Sequence, residues 1–444
     1  MRHGKDSRNS WYDWARERTD PAHAPQKPEA LSDLLVLDVS AGNMGGPVCS
    51  SMLAELGAQV IRIEPPGGDV TRKFSPFGIM HQDTGLGYLV EGRNKYHITL
   101  DLQKAESPEI FTTLVRHADV VIETYQPGVM DGLGIGYRQL REVNPRLIYA
   151  ALGAYGQFGP GAGSGRPSSE ITNQAYSGLV QINGEPDHGE PTEYGVPTKV
   201  GSWYGWYAEG LFAAYGILLA LNFRSDTGQG QIVDVSGAEC MMKFIDYNLS
   251  WFHMDGKVKE RLGNYDIAVF PYTFVRCREG YTFLAAYNDE AFETLMEIIE
   301  RPEMAKDPRF SSFLNRTSVE NEEALQNLLE EWSGRYPVDE VIQRVQDAIS
   351  KKKGRAAAVV TGKVSQPLEV LQEQNWWDRG VFQEIDDPHY GKLTVQGPAW
   401  KMSETPPRLK WICRPVGADN EFIYLKYLGT GKTQLAALER AGVI

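Results

Sequence analysis

The sequence predicts an α/β protein: a large domain built on a doubly wound parallel sheet, with a smaller α+β domain beside it. Two observations carry that prediction. LLVLDVS (34–40) is an unbroken apolar run suited to a strand covered on both faces, and a glycine turn, a helical stretch and the strand VIRIE (60–64) follow it as a β-α-β unit. Strand and helix patterns then keep alternating, which is the signature of a parallel sheet wound on both sides. At roughly 100 to 200 residues per domain, 444 residues make two or three domains.

Residues 1–30 are polar, contain proline and lack periodicity apart from Trp11 and Trp14, so they read as an arm that docks on a neighbouring subunit through its indoles. Residues 31–224 form the first part of the large domain. The glycines Gly42, Gly45 and Gly46 turn the chain into a helix expected over 47–56. HITLDL (97–102), DVVIE (119–123) and LIYAAL (147–152) supply further strands, separated by the helical patterns SPEIFTTLVRHA and YRQLREV. EGLFAAYGILLALNF (209–223) is apolar all round and is expected to be a buried helix; SDTGQGQ turns it into the strand IVDVS. Residues 225–330 read as the small α+β domain, with strands at YTFVRC and YTFLAA and a helix at EAFETLMEIIE. Residues 331–444 continue with helices at 338–349, a surface charge run KKKGR, a hairpin over YGKLTVQGPAWKM and a closing helix, QLAALERAGV, that returns to the large domain.

Charge and cysteine content narrow the function. With 45 basic and 58 acidic side chains the net charge is -13, a body that repels phosphate backbones and anionic lipid, so neither nucleic acid nor a membrane is the expected partner. Cys49, Cys240, Cys277 and Cys413 are far apart, with no CxxC pair and no histidine at ligand spacing. They read as reduced thiols, and no metal is expected. No long apolar segment interrupts the chain, so it reads as soluble and cytoplasmic.

Two motifs invite nucleotide readings. Gly42, Gly45 and Gly46, with Glu64 about 20 residues on, imitate a dinucleotide fingerprint, but GNMGG lacks the GxGxxG order and a tight strand-to-helix turn is preferred. GTGKT (429–433) imitates a phosphate loop, yet Lys426 stands where its first glycine is required. Asp101 and Glu123 end strand-like runs, where a carboxylate either meets a ligand or caps the next helix.

Seven strings together carry a resemblance that none carries singly: GAQVIRIEPPGGDVTR, RNKYHITLDL, ADVVIETYQPGVMDGLGIGY, NPRLIYAALGAYGQFGP, GLFAAYGILLAL, TGQGQIVDVS and DPRF. In this order and spacing, from about residue 33 to the C-terminus, the chain resembles the class III coenzyme A transferases, the formyl-CoA and carnitine CoA-transferase type. The resemblance implies a Rossmann-like large domain made from both chain ends, a small α+β domain, and two subunits interlocked like chain links. It implies CoA thioesters as substrates with no tightly bound cofactor. An aspartate of that family attacks an acyl-CoA to form a mixed anhydride, which a dry cleft protects from hydrolysis.

The sequence departs from the family at that aspartate. The segment that carries it reads PTKVGSWYGWYAEG (197–210) here and sets Trp206 at the aspartate position. Basic residues that hold the CoA phosphates align with Pro65, Gln103, Gly132 and Pro167, and an Asn-Phe pair near the CoA cleft aligns with Thr124 and Tyr125. Arg62, Arg72, Arg93 and Lys95 remain as candidate CoA-binding cations alongside Thr124 and Tyr125. Together these losses suggest a nucleophile-less subunit that supports a catalytic paralogue, as in the two-chain succinyl-CoA:(R)-benzylsuccinate CoA-transferase of anaerobic toluene degradation. The aromatic SWYGWY suits a phenyl-bearing acid or plain interface packing. Two alternatives stay open: a self-sufficient transferase using Glu209 or Glu170, and a non-enzymatic acyl-CoA-binding scaffold.

Overall fold

The computed structural model describes residues 5–186, 196–352 and 358–444. Residues Lys5–Thr19 form a helix, α1, where the sequence suggests an aperiodic arm. Trp11 and Trp14, three residues apart, therefore share one helix face; their rings stack 5.0 Å apart and both are exposed.

The chain forms two compact units, one of residues 1–180, 199–258 and 373–444, the other of residues 181–198 and 259–372. In the first, β1 (Leu35–Asp38), α2 (Gly45–Glu55) and β2 (Gln59–Glu64) make the opening β-α-β unit. A short helix α3 (Leu86–Glu91) leads to β3 (Lys95–Thr99), and α4 (Ser107–Val115) to β4 (Val120–Glu123). Then come β5 (Ile148–Gly153), α5 (Glu170–Tyr176), the long α6 (Tyr204–Thr227), β6 (Ile232–Ser236) and α7 (Gly237–Met242). The six strands lie in the order β3-β2-β1-β4-β5-β6, every neighbouring pair parallel.

Strand direction of winding reverses at β1, which pairs with β2 on one side and β4 on the other, so a crevice opens at their carboxyl ends. One face of the sheet packs Val36, Val60, Ile122 and Ile148 against Leu53 of α2 and Ala213 and Ile217 of α6. The other packs Leu37, Ile61, Ile98 and Val121 against Phe111 and Leu114 of α4. Each of these aliphatic side chains, fully removed from water, stabilises the fold by about 2 kcal/mol.

The large unit runs beyond residue 224 because IVDVS is the sixth strand of its sheet; the small unit takes up the chain at Lys259 and includes 181–198. It holds an antiparallel sheet of β7 (Tyr272–Arg276), β8 (Tyr281–Ala285) and β9 (Val360–Lys363), with β8 central. Helices α8 (Asp289–Ile298), α9 (Val319–Ser333) and α10 (Val338–Lys351) enclose its own core around Phe270, Leu284, Phe292, Leu329 and Val341. Of the KKKGR run, Lys352 pairs with Glu297 at 2.7 Å, and residues 353–355 lie outside the described residues.

The chain then returns to the large unit through the hairpin β10 (Phe382–Asp387) and β11 (Gly391–Gln396), followed by α11 (Asn420–Leu428) and α12 (Lys432–Arg440). Asp419 and Asn420 accept the backbone N–H groups of His97 and Thr99 at 2.8 and 2.9 Å, which satisfies the outer edge of β3.

Helix α6 differs from the expectation of a buried helix. Trp206, Glu209, Ala213 and Ile217 are buried, while Tyr207, Leu211, Tyr215, Leu219 and Phe223 form an exposed apolar stripe at helical spacing. Glycine governs its contact with α2: a Cβ at Gly210 would come within 2.7 Å of both the Gly45 carbonyl oxygen and Val48, so the two helices cross backbone against backbone. Among the described residues no helix is long and apolar enough to cross a membrane, and all four cysteines are buried and free.

Candidate functional site

The carboxyl ends of β1 and β4 carry the loops that frame the crevice. Thr124 ties the two loops together, its Oγ1 accepting from Ala41 N at 2.9 Å and donating to Ala41 O at 3.0 Å. Tyr125 N donates to Glu123 Oε2 at 2.6 Å, and burial pushes the Glu123 carboxyl up to about 8. Thr124 and Tyr125, sequence candidates for CoA contact, thus shape the crevice edge. Asp101 acts as a local cap, accepting from Gln103 N at 3.0 Å.

Directly beneath lies a buried ionic cluster. Asp38 ends β1 and accepts from Arg62 Nη1 at 2.8 Å and from Ser50 Oγ at 2.5 Å, with Lys95 Nζ 3.8 Å away. Burial pushes the Asp38 carboxyl up, but Arg62, Lys95, Ser40 and Ser50 more than offset this and hold it below the usual range. Burial also lowers the Lys95 ammonium to about 8, opposed by Asp38; its Nζ donates to Pro47 O at 2.7 Å. Arg72 forms two 2.8 Å hydrogen bonds to Glu64, the residue a dinucleotide fold would turn to a ribose. Arg93 bonds Glu55 at 2.9 Å and Gln396 O at 2.7 Å.

Arg62, Arg72, Arg93 and Lys95 are therefore all buried and matched by the protein's own carboxylates. The structure brings Arg62 and Lys95 together around Asp38 and sets Arg93 apart, on Glu55. None of the four presents a free cation at the surface. Asp38 was silent in the sequence reading, although a carboxylate inside LLVLDVS is the signal that a buried partner exists.

Trp206 occupies the first turn of α6. Its indole is buried, lies parallel to the Phe74 ring with centroids 5.7 Å apart, and packs in one cluster with Met44, Tyr88, Leu89 and Cys413. Glu209, almost one turn further along α6, is fully buried: Oε2 accepts from Asn43 Nδ2 at 3.2 Å and Asn173 Nδ2 at 3.3 Å, while Oε1 has no partner. Burial raises this carboxyl to about 7, the two amides offsetting only part of the shift. Glu170, in the first turn of α5, is buried too and accepts the Gly205 N–H of α6 at 2.9 Å, with a short bond from Gln174. Both fallback carboxylates thus serve the α5–α6 junction.

A cleft of about 470 Å³ opens over this junction. Phe74, Trp203 and Trp206 give it an aromatic wall; Lys73, Lys199, Ser202 and Glu170 are among its polar lining. Asn43, Asn173, Lys73 and Lys199 escaped the sequence reading, because no local pattern distinguishes a residue that meets its neighbours only across the fold.

The comparisons agree with this architecture. The family model for CoA-transferase family III matches residues 31–420. Succinyl-CoA--L-malate CoA-transferase alpha subunit of Chloroflexus aurantiacus is 32% identical over 406 residues, covering 90% of this chain and 90% of that protein. The beta subunit of the same organism's enzyme is 28% identical over 418 residues, 93% of this chain and 98% of that one. A crystal structure of a CAIB/BAIF family protein from Brucella suis superposes with TM-score 0.74 at 27% identity, over 90% of this chain and all of that one. On the family match, the seven ordered strings and the shared fold, the chain belongs to CoA-transferase family III.

Proposed function

We propose that this chain is the nucleophile-free subunit of a two-chain class III CoA-transferase, supporting a paralogue that carries the aspartate. The complex moves CoA from an acyl-CoA, best read as succinyl-CoA, to a carboxylic acid such as (R)-2-benzylsuccinate. The single observation that carries the reading is Trp206: a buried indole, stacked on Phe74 and without a nucleophile, holds the position that the sequence alignment gives to the family's aspartate.

Four further observations support it. Arg62, Arg72, Arg93 and Lys95 are consumed in buried pairs, so none of these four is free to meet a CoA diphosphate. Glu209 is buried and, with its raised carboxyl, about half protonated near neutral pH, both poor properties for an attacking carboxylate. The exposed stripe on α6, Tyr207 to Phe223, is the kind of surface a second subunit covers. Two relatives of this chain are the alpha and beta subunits of one enzyme.

The test is affinity purification from the native host followed by intact-complex mass spectrometry and a CoA-transfer assay on the complex. A stoichiometric paralogue with aspartate at the Trp206 position, and transfer abolished when that aspartate is changed to asparagine, is the expected result. An active homo-oligomer of this chain alone overturns it.

A further inference from the structure

We infer that the cleft over Trp203 and Trp206 binds a free, aryl-bearing carboxylic acid without acting on it chemically. This rests on the reading that Trp206 has removed the nucleophile from this chain, and it assigns the vacated ground a binding role.

The argument begins with charge. Arg62, Arg72, Arg93 and Lys95 all have carboxylate partners within 4 Å. Lys73 and Lys199 contrast with them: both are exposed, both line the cleft, and neither has an ion pair or hydrogen bond among the described residues. Glu170, the carboxylate on the same lining, is buried and engaged by Gly205 N–H and Gln174, so in a chain of net charge -13 the two exposed ammonium groups make a local attraction for an anion that the rest of the surface repels.

The wall between them supplies the second half. Phe74, Trp203 and Trp206 form a continuous aromatic surface, Trp203 lying 5.8 Å from Phe74 and 6.5 Å from Trp206 between ring centroids. Trp203 is only partly buried and lines the cleft, with the far edge of its indole packed over Gly87. An aromatic ring stacks there while its carboxylates reach the lysines. A short aliphatic acid has the carboxylates but leaves the wall wet.

Backbone geometry adds a third observation. Ser202, between Lys199 and Trp203 on the cleft lining, sits at φ +58°, a left-handed conformation that a non-glycine residue adopts only when its surroundings hold it there. The segment that carries Lys199 into α6 is held in one shape.

Binding is measured by calorimetry and tryptophan fluorescence on the full chain, alone or with whatever partner it purifies with, using benzylsuccinate, succinate and benzyl alcohol as probes. We expect benzylsuccinate to bind with quenching of tryptophan emission, and both other probes to bind at least about tenfold more weakly, each lacking one half of the recognition. K73Q/K199Q should weaken benzylsuccinate by about tenfold and flatten its salt dependence. Equal binding of succinate and benzylsuccinate, indifference to the lysine substitutions, or no binding of any probe overturns the inference. These outcomes separate from the subunit reading: a complex that transfers CoA while this chain's cleft ignores all probes sinks the cleft site alone, and a chain that binds acid yet has no paralogue sinks the subunit reading alone.

Discussion

The rings of Phe74 and Trp206 lie within 6° of parallel, so the position that the proposed function aligns with the family's aspartate holds a stacked aromatic pair. Restoring the family's residue therefore does not restore its site. Trp206→Asp removes the stack, opens a void and buries a carboxylate among Met44, Tyr88 and Leu89. We expect it to destabilise the chain by about 3–5 kcal/mol and to give no CoA transfer in the isolated chain. Thermal unfolding and a single-turnover assay check both; a stable, active variant contradicts the account.

The pair Asp38–Arg62 is fully buried, and Lys95 alone, 3.8 Å from Asp38, compensates poorly once the guanidinium is gone. Arg62→Met should cost about 3–5 kcal/mol, because it leaves a buried carboxylate short of its partner. Urea unfolding gives the value. Lys73→Met, at an exposed unpaired cation, should lie within about 0.5 kcal/mol of the parent.

Glu209 gives a pH signature. Its carboxyl ordinarily titrates at 4.5 and is raised to about 7 by burial. The folded state holds the proton more tightly, so the contribution is intact below about 4.5, falls as pH rises to about 7 and is flat above; the full swing is about 3 kcal/mol. Glu209→Gln, which keeps an acceptor for Asn43 and Asn173, should raise stability at pH 8 and leave it nearly unchanged at pH 4.5. Denaturant midpoints at the two pH values measure the difference, and an equal effect at both refutes it.

The α6 stripe predicts an association defect. Leu211→Glu with Leu219→Glu places two charges on the exposed face and should weaken subunit association by about a hundredfold while leaving circular dichroism unchanged. Sedimentation across a concentration range reads it directly.

The strands of the large sheet were legible because runs such as LLVLDVS and LIYAAL are short, rich in apolar residues and alternate with helical patterns. The buried partners were not. Arg62 and Asp38 are 24 residues apart and Arg93 and Glu55 are 38 apart, and a side chain's charge says nothing about which carboxylate folding will bring beside it. Hence four cations that the sequence offers as candidates for CoA, or equally as structural charges, are paired with carboxylates in the fold. Helix α6 shows a different limit: a helix apolar all round announces that both faces are covered, and the sequence does not say whether by its own chain. Trp206 was legible in position, but its stacking partner Phe74, more than a hundred residues away, was not.

The glycine crossing of α2 and α6 makes a joint without backlash. At Gly45 and Gly210 neither glycine adds a side chain to the crossing, and a Cβ at Gly210 would meet the Gly45 carbonyl oxygen and Val48 at 2.7 Å, so the contact has little slack. Glu209 Oε2 also holds Asn43, and Gly45 N donates to Asn43 Oδ1 at 2.6 Å, so the loop at the sheet edge is geared to the same joint. The outer face of α6 and the loop at the crevice are thus joined by a short chain of direct contacts, helix backbone to helix backbone and Glu209 to Asn43.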